Sequence, residues 1–123
     1  KITQEFNTEE LIPCAGQGII AIQCRENDQE IINILEKIND NQSRIIANAE
    51  RNVLKILEGD CDTAVGVYAK ISKDIINIKA ELFSVDGKQR FYVHESENKK
   101  MINDLSIKIG EKLKSESKGS YKR

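Results

Sequence analysis

The chain has 123 residues, of which 39% are hydrophobic and 32% are charged, and its formal net charge is −1. This length suits one domain, or one domain together with pieces of others. The near-neutral charge argues against a dedicated nucleic-acid binder, which would carry a basic face or stripe. No apolar run approaches the roughly 18 residues of a membrane span, so we expect no membrane partner.

The sequence opens with a polar, irregular stretch, "KITQEFNTEELIP", without an initiator methionine. This opening is typical of the middle of a longer protein, although cleavage of a tag or processing would also remove the methionine. Gly16-Gln17-Gly18 then predicts a turn, because glycine permits tight backbone conformations. The short, β-branched, almost wholly apolar run Ile19–Cys24 follows and predicts a strand that is buried on both faces.

Two helical patterns come next. Asn27 or Asp28 can cap the first helix, and Glu30 is placed to complete a capping box with Asn27. The second helix is predicted from about residue 42 to residue 57, with Gly59 as the left-handed residue that ends it. The apolar stripe of the first helix has helical spacing and consists of Ile31, Ile34, Leu35 and Ile38.

The apolar period then changes from helical spacing to two. Strands are predicted at 63–71, 75–84 and 90–95, and Asp86-Gly87 is a strong hairpin signal between the last two. A final helix follows, in which apolar residues recur at every fourth position and form a stripe. A charged, solvated tail, "KSESKGSYKR", comes after it. The order predicts an α+β fold: a three-stranded antiparallel sheet packed with helices. The stripe consists of Met101, Leu105, Ile109 and Leu113.

The three cysteines Cys14, Cys24 and Cys61 form no CxxC pair and cannot all pair within one chain. Reduced thiols in a cytoplasm are the simplest interpretation. Since His94 is the only histidine, a metal site is not expected, and His94 itself is interpreted as a surface residue. Cys14 and Cys24 are interpreted as small apolar fillers.

Three motifs occur in one register and give the chain a family resemblance. They are "PCAGQGIIAIQCR" at 13–25, Ala49-Glu50-Arg51, and "LEGDCDTAVG" at 57–66, with a D-G hairpin after them. Together they resemble the C-terminal part of the porphobilinogen deaminase (hydroxymethylbilane synthase) family. Taken by themselves, Glu50 and Arg51 are interpreted as fold-stabilising. Arg25 could either meet a carboxylate of the bound group or form a structural ion pair.

The resemblance implies a division into domains. Residues 1–18 would end domain 2, residues 19–38 would cross back into domain 1, and residues 39–123 would form the cofactor-carrying domain 3. The family's catalytic aspartate and substrate-binding arginines lie in the two N-terminal domains, so no catalytic residue is expected here. We expect residues 39–123 to fold as a unit, and residues 1–38 to be weakly held or mispacked, with either self-association through this segment or its docking on the domain's own surface as the result.

The resemblance also implies a role for Cys61. The residues alone leave two alternatives open, a reactive thiol and a loop cysteine without a function. Its neighbours Asp60 and Asp62 disfavour the thiolate. In the family this cysteine carries a dipyrromethane cofactor through a thioether, to which porphobilinogen units are added in tetrapyrrole (haem) biosynthesis. Porphobilinogen that has lost ammonia is an azafulvene, an electrophile that a thiol can capture without a low pKa. We expect Cys61 in an exposed loop.

The resemblance places Gly16, Gln17 and Gly18 at the cleft, where they would bind the cofactor or the growing chain. The sequence departs from the family at the cofactor loop, where Asp60 replaces a glycine and Asp62 replaces a neutral or basic residue. Added negative charge disfavours a cofactor that bears carboxylates. The alternative is therefore a divergent, inactive domain that keeps the fold as a binding or structural module. The remaining departures are Thr63, Ala64 and Gln23.

Overall fold

A computed structural model describes residues 1–60 and 62–122. Within these residues the chain forms an α+β fold, which confirms the predicted class. Its helices and strands are α1 (Gln29–Glu36), α2 (Asn41–Leu57), β1 (Val65–Ser72), β2 (Ile75–Phe83), β3 (Arg90–Asn98) and α3 (Ile102–Ser117), with a 3-10 turn at Lys99–Met101.

The three strands form one antiparallel sheet in the order β1-β2-β3. The register pairs Ala80 of the central strand with Val67 on one side and Val93 on the other. The second hairpin turns at Gly87, which has a φ of 70° and donates its N–H to the carbonyl of Ser84. The predicted Asp86-Gly87 turn is therefore confirmed.

The hydrophobic core lies between one face of the sheet and helices α2 and α3. Alternate strand residues point into it, as the period of two predicts. The two helices approach closely at Gly110, where an added Cβ would lie 2.8 Å from the Cβ of Ile56. The buried core side chains include Val53, Leu57, Val67, Ile76, Ile78, Leu82, Val93, Ile109 and Leu113.

The segment before α1 is attached to β1. The carbonyl of Pro13 accepts the N–H of Val67 at 2.9 Å, and Ile12 is only 7% exposed. Gly66 permits this approach, since a Cβ there would lie 2.6 Å from the carbonyl oxygen of Ile12. Glu9 forms an ion pair with the nearly buried Lys79. The expectation that residues 1–38 are weakly held therefore does not apply to this part of the segment.

The buried strand predicted at Ile19–Cys24 is wrong for this chain. These residues form no regular element, and Ile20 and Ile22 are 89% and 60% exposed. A strand needs a partner to complete its hydrogen-bond ladder, and the described residues offer it none. The following helix α1 is confirmed, with Asp28 as its N-cap, but it has no buried residue.

Three further predictions are corrected near helix ends. Glu58, with a φ of 54°, ends α2 in the left-handed conformation instead of Gly59. Met101 is 45% exposed and lies outside the stripe of α3. The tail after α3 is not simply solvated, because Tyr121 is 4% exposed. No helix in the described part of the chain is long and apolar enough to cross a membrane.

Candidate functional site

The loop between α2 and β1 is the first candidate site. Cys61, on which the prediction centres, lies outside the described residues, but the residues around it form a defined turn. The N–H of Asp60 donates to the hydroxyl oxygen of Thr63 at 3.1 Å, and that hydroxyl donates back to the Asp60 carboxylate at 3.0 Å. The N–H of Asp62 also donates to the Asp60 carboxylate, at 3.0 Å. The side chains of Asp60, Asp62 and Ala64 are exposed.

The charges of this loop are well defined. The hydrogen bond from the Thr63 hydroxyl and that from the Asp62 N–H hold the pKa of Asp60 below its usual value. Asp60 is thus a carboxylate at neutral pH. The pKa of Glu58 is also lowered, by its hydrogen bond with Lys122 and the charges of Lys114 and Lys122. Lysines distant in sequence therefore meet the acidic start of the loop.

The second candidate site is the turn Gly16-Gln17-Gly18. Gly16 and Gly18 have φ values of 76° and 81°, which glycine adopts without strain. The Gln17 side chain closes the turn, because its Oε1 accepts the N–H of Cys14 at 3.2 Å. A Cβ on either glycine would meet nothing within 4 Å. Glycine is therefore required here by the backbone conformation and not by a close neighbour.

Glu50 attaches this turn to the body of the fold. One carboxylate oxygen accepts the N–H of Gly16 at 2.7 Å, and the other accepts the N–H of Ala69 at 2.8 Å. The residue is 4% exposed, and this burial raises its pKa against the opposing effect of the two hydrogen bonds. The fold-stabilising role predicted for Glu50 agrees with this geometry. Its two partners could not be read from sequence, since they lie 34 and 19 residues away.

The two candidate sites lie against different parts of β1. The glycine turn is held through Glu50 beside Ala69, whereas the described residues of the loop end where β1 begins, at Val65. A groove of about 300 Å³ borders the turn, between α2 and β1. Gln17, Glu50 and Tyr68 are among its lining residues.

The other residues singled out in the sequence lie at the surface or in local contacts. Arg25 forms the predicted structural ion pair, with Asp28 at 3.4 Å, and His94 is exposed on β3, as predicted. Cys14 is exposed, so its interpretation as an apolar filler is wrong, whereas Cys24 is half-buried. Among the described residues no group of three or more His, Cys, Asp or Glu side chains could hold a metal ion.

Comparison with known proteins finds two matching family profiles. One is described as porphobilinogen deaminase, C-terminal domain, and matches residues 45–115. The other is described as porphobilinogen deaminase, dipyromethane cofactor binding domain, and matches residues 1–33. The first contains α2 from residue 45 onward, the loop between α2 and β1 and the whole sheet, and the second contains the glycine turn.

Individual relatives agree with these profiles. The chain is similar to the porphobilinogen deaminase of Exiguobacterium sibiricum, with 42% identity over 89 residues that cover 72% of this chain and 29% of that protein. It is also similar to the porphobilinogen deaminase of Francisella tularensis subsp. novicida, with 35% identity over 124 residues that cover 99% of this chain and 39% of that protein. The chain thus spans about two fifths of the length of this second relative.

Proposed function

Because this chain belongs to the porphobilinogen deaminase family, we propose that it is the primer-carrying part of a hydroxymethylbilane synthase. Such an enzyme polymerises porphobilinogen into the linear tetrapyrrole hydroxymethylbilane. One observation carries the proposal: the run 57–66, with Cys61 at its centre, joins α2 to β1 within the part matched by the C-terminal-domain profile. Cys61 is then the attachment point of a dipyrromethane primer.

The loop leaves room for a tethered group and carries a thiol that could attach it. Its negative charge, however, disfavours an anionic primer. The neighbours Asp60, Asp62 and Ala64 are exposed, so a bulky group beside them would extend into solvent. The carboxylate of Asp60 repels the carboxylates of the primer. Lys114 and Lys122, which meet Glu58 at the start of the loop, supply the opposite charge.

The attachment reaction needs only the Cys61 thiol from the protein. A porphobilinogen that has released ammonia is an azafulvene, and its methylene carbon is attacked by the Cys61 sulfur. The S–C bond forms, the thiol proton passes to the azafulvene nitrogen, and the pyrrole is restored. Cys61 would hold the primer, and the bound primer would supply the pyrrole carbon to which further units are joined. Gly16, Gln17 and Gly18 would contact the growing chain.

We propose further that the chain by itself does not turn over porphobilinogen. Deamination needs a proton donor, and the substrate carboxylates need a cluster of cations. Arg25 is 90% exposed and paired with Asp28, and Arg90 is paired with Glu81. These pairs do not form such a cluster. The catalytic groups would be supplied by the remainder of domains 1 and 2. Within this chain, residues 1–18 would be the end of domain 2, residues 19–38 a segment of domain 1, and residues 39–123 domain 3.

A second function from another class is favoured by one observation. Asp60 stands where the family has glycine, and its lowered pKa keeps it ionised in the loop that would hold an anionic primer. A divergent domain that retains the fold as a binding or structural module fits this charge better. The two functions differ in whether Cys61 accepts a primer.

A chimera separates the two functions. This chain replaces the matching segment of the Francisella tularensis subsp. novicida relative, whose alignment covers 99% of it, and the purified chimera is weighed intact and after peptide mapping. An adduct of two pyrrole units on the Cys61 peptide is expected, and a Cys61→Ser chimera should lack it. A Cys14→Ser chimera is the matched control and should keep it. A folded chimera with a bare Cys61 thiol would instead support the inactive module.

A further inference from the structure

The last four backbone carbonyls of α2, which precede the loop at 58–64, all accept hydrogen bonds. The last four carbonyls of a helix have no partner within the helix. Here the first two accept N–H groups of the residues that follow. Gly59 donates to Leu54, and Glu58 donates to Lys55, both at 3.1 Å. This is the Schellman arrangement, with Glu58 as its left-handed residue.

The other two carbonyls are satisfied from the far end of the sequence. The ammonium group of Lys114 on α3 donates to the carbonyl of Ile56 at 3.1 Å. The hydroxyl of Tyr121 donates to the carbonyl of Leu57 at 2.9 Å, in a buried contact. Every one of the four carbonyls therefore has a donor, and two of the donors are long side chains 58 and 64 residues away.

The segment that carries Tyr121 is itself held in place. Ser117 at the end of α3 is buried, and Lys118 and Gly119 turn the chain with φ values of 47° and 79°. The carbonyl of Ser120 then accepts the N–H of Val85 from the β2–β3 hairpin at 2.9 Å. The segment 117–122 thus connects α3, the hairpin and the end of α2.

Its last described residue contacts the loop directly. Lys122 forms an ion pair with Glu58, and Lys114 contacts the same carboxylate oxygen at 3.4 Å. A left-handed conformation is unfavourable for a residue with a side chain. The two ammonium groups favour it by holding the Glu58 carboxylate. The loop leaves the helix at this residue, so its direction depends on these contacts.

We propose that the segment 117–122 is a clamp that sets the conformation of the described loop residues 58–60 and 62–64, with Tyr121 and Lys122 as the positioning residues. Two anchors define the clamp: the Tyr121 hydroxyl on the Leu57 carbonyl and the Lys122 ammonium on the Glu58 carboxylate. Its importance for the thiol rests on the proposed function. Its existence rests on the contacts alone and can be tested without a primer.

Amide hydrogen exchange of the 123-residue chain tests the clamp. In Tyr121→Phe the ring remains and one hydroxyl is lost. The amides of Gly59, Asp60 and Asp62, which are hydrogen-bonded, are expected to exchange about fivefold faster, which is the effect of one lost hydrogen bond. Tyr92→Phe removes a hydroxyl from a 42% exposed ring on β3 and is expected to leave these amides unchanged.

A core variant separates local opening of the loop from loss of overall stability. Ile78→Val lowers stability by an amount similar to the loss of a hydrogen bond, at a fully buried site on β2. It is expected to accelerate the sheet amides while leaving the loop amides unchanged. If Ile78→Val accelerates the loop amides as much as Tyr121→Phe does, the loop opens only with the whole fold and the clamp is refuted.

The second anchor gives an independent result. Lys122→Ala removes the ion pair with Glu58 and is expected to accelerate the same loop amides by up to about twofold, as for an exposed pair. Lys112→Ala, which removes a contact with Glu95 on the other side of α3, is the matched control. Unchanged loop exchange in both Tyr121→Phe and Lys122→Ala would overturn the proposal. A bare Cys61 in the chimera would refute the proposed function and leave the clamp standing.

Discussion

The carboxylate of Glu50, in the middle of α2, accepts the backbone N–H of Gly16 at 2.7 Å. This contact joins the part of the chain matched by the cofactor-binding-domain profile to the part matched by the C-terminal-domain profile. The other oxygen of the same carboxylate accepts the N–H of Ala69 at 2.8 Å. One buried side chain thus holds the glycine turn against β1.

Replacing Glu50 should therefore be costly. In Glu50→Ala the N–H groups of Gly16 and Ala69 lose their acceptor in a buried site, and we expect the free energy of unfolding to fall by about 2–4 kcal/mol. Urea denaturation measures it. Glu111→Ala, which removes an exposed carboxylate from α3, is the control and should change stability by less than about 0.5 kcal/mol. Equal stability of the two variants would contradict this role of Glu50.

Glu50 should also make stability depend on pH. Burial raises its pKa above the ordinary 4.5, so the folded state binds the proton more tightly than the unfolded state does. The contribution of Glu50 is then fully present below pH 4.5 and is lost as pH rises through the folded pKa. We expect the free energy of unfolding of the wild-type chain, relative to Glu50→Gln, to fall over this range. Urea denaturation at a series of pH values from 4 to 7 measures it, and a relative stability that rises instead would show that the two hydrogen bonds outweigh burial.

The contact between α2 and α3 depends on the absence of a side chain at Gly110. A Cβ there would lie 2.8 Å from the Cβ of Ile56. Gly110→Ala should thus destabilise the chain by about 1–3 kcal/mol, although alanine is the better helix former by about 1 kcal/mol. Thermal denaturation measures the change. Gly59→Ala is the control, because its Cβ would be 3.5 Å from Thr63, an ordinary contact; a stabilised Gly110→Ala variant would disprove the close packing.

Exposed isoleucines before α1 should cause self-association. Ile20 and Ile22 are 89% and 60% exposed, and large exposed apolar surface is a common cause of association. We expect the average mass in sedimentation to rise with concentration, and the rise to be reduced in Ile20→Ser/Ile22→Ser. Met101→Gln removes a separate, 45% exposed apolar side chain and should not reduce it. A chain that stays monomeric at every concentration would rule this out.

The thiol of Cys61 should react slowly with iodoacetamide at neutral pH, because adjacent carboxylates disfavour the thiolate. In Asp62→Asn one of these charges is removed, and the rate at pH 7 should rise about two- to fivefold. Mass spectrometry of the Cys61 peptide follows the reaction. Asp104→Asn, on the exposed first turn of α3, is the control. A rate that does not respond to Asp62→Asn would show that the loop charges do not act on the thiol.

Local pattern was enough to predict most of the architecture. The helical spacing through Val53 and Leu57, the alternation of β1 and β2, and the Asp86-Gly87 turn each reflect interactions between residues near in sequence, and each is found where it was predicted. The family motifs likewise identify the chain without its structure, because they depend on residue order and spacing alone.

The errors arise where a residue depends on a distant partner. Ile19–Cys24 has the composition of a buried strand, but composition cannot supply the neighbouring strand that its hydrogen bonds need. Gly59 is the better candidate for a left-handed residue by intrinsic preference. Glu58 takes that conformation instead, and Lys114 and Lys122, which are remote in sequence, both contact its carboxylate.

Tyr121 and Glu50 show the same difference between what the sequence predicts and what tertiary packing decides. In sequence, Tyr121 lies in a charged stretch that predicts a solvated tail, yet it is buried with its hydroxyl on the Leu57 carbonyl. The sequence predicts that Glu50 stabilises the fold, but it does not predict the partners, which are two N–H groups from elements far along the chain. Local periodicity thus determined helices α1, α2 and α3 and the three strands, and the residue motifs gave the resemblance to the family. Only the tertiary fold decided which polar groups are buried together, because burial and hydrogen-bond partners arise from packing between segments that are remote in sequence.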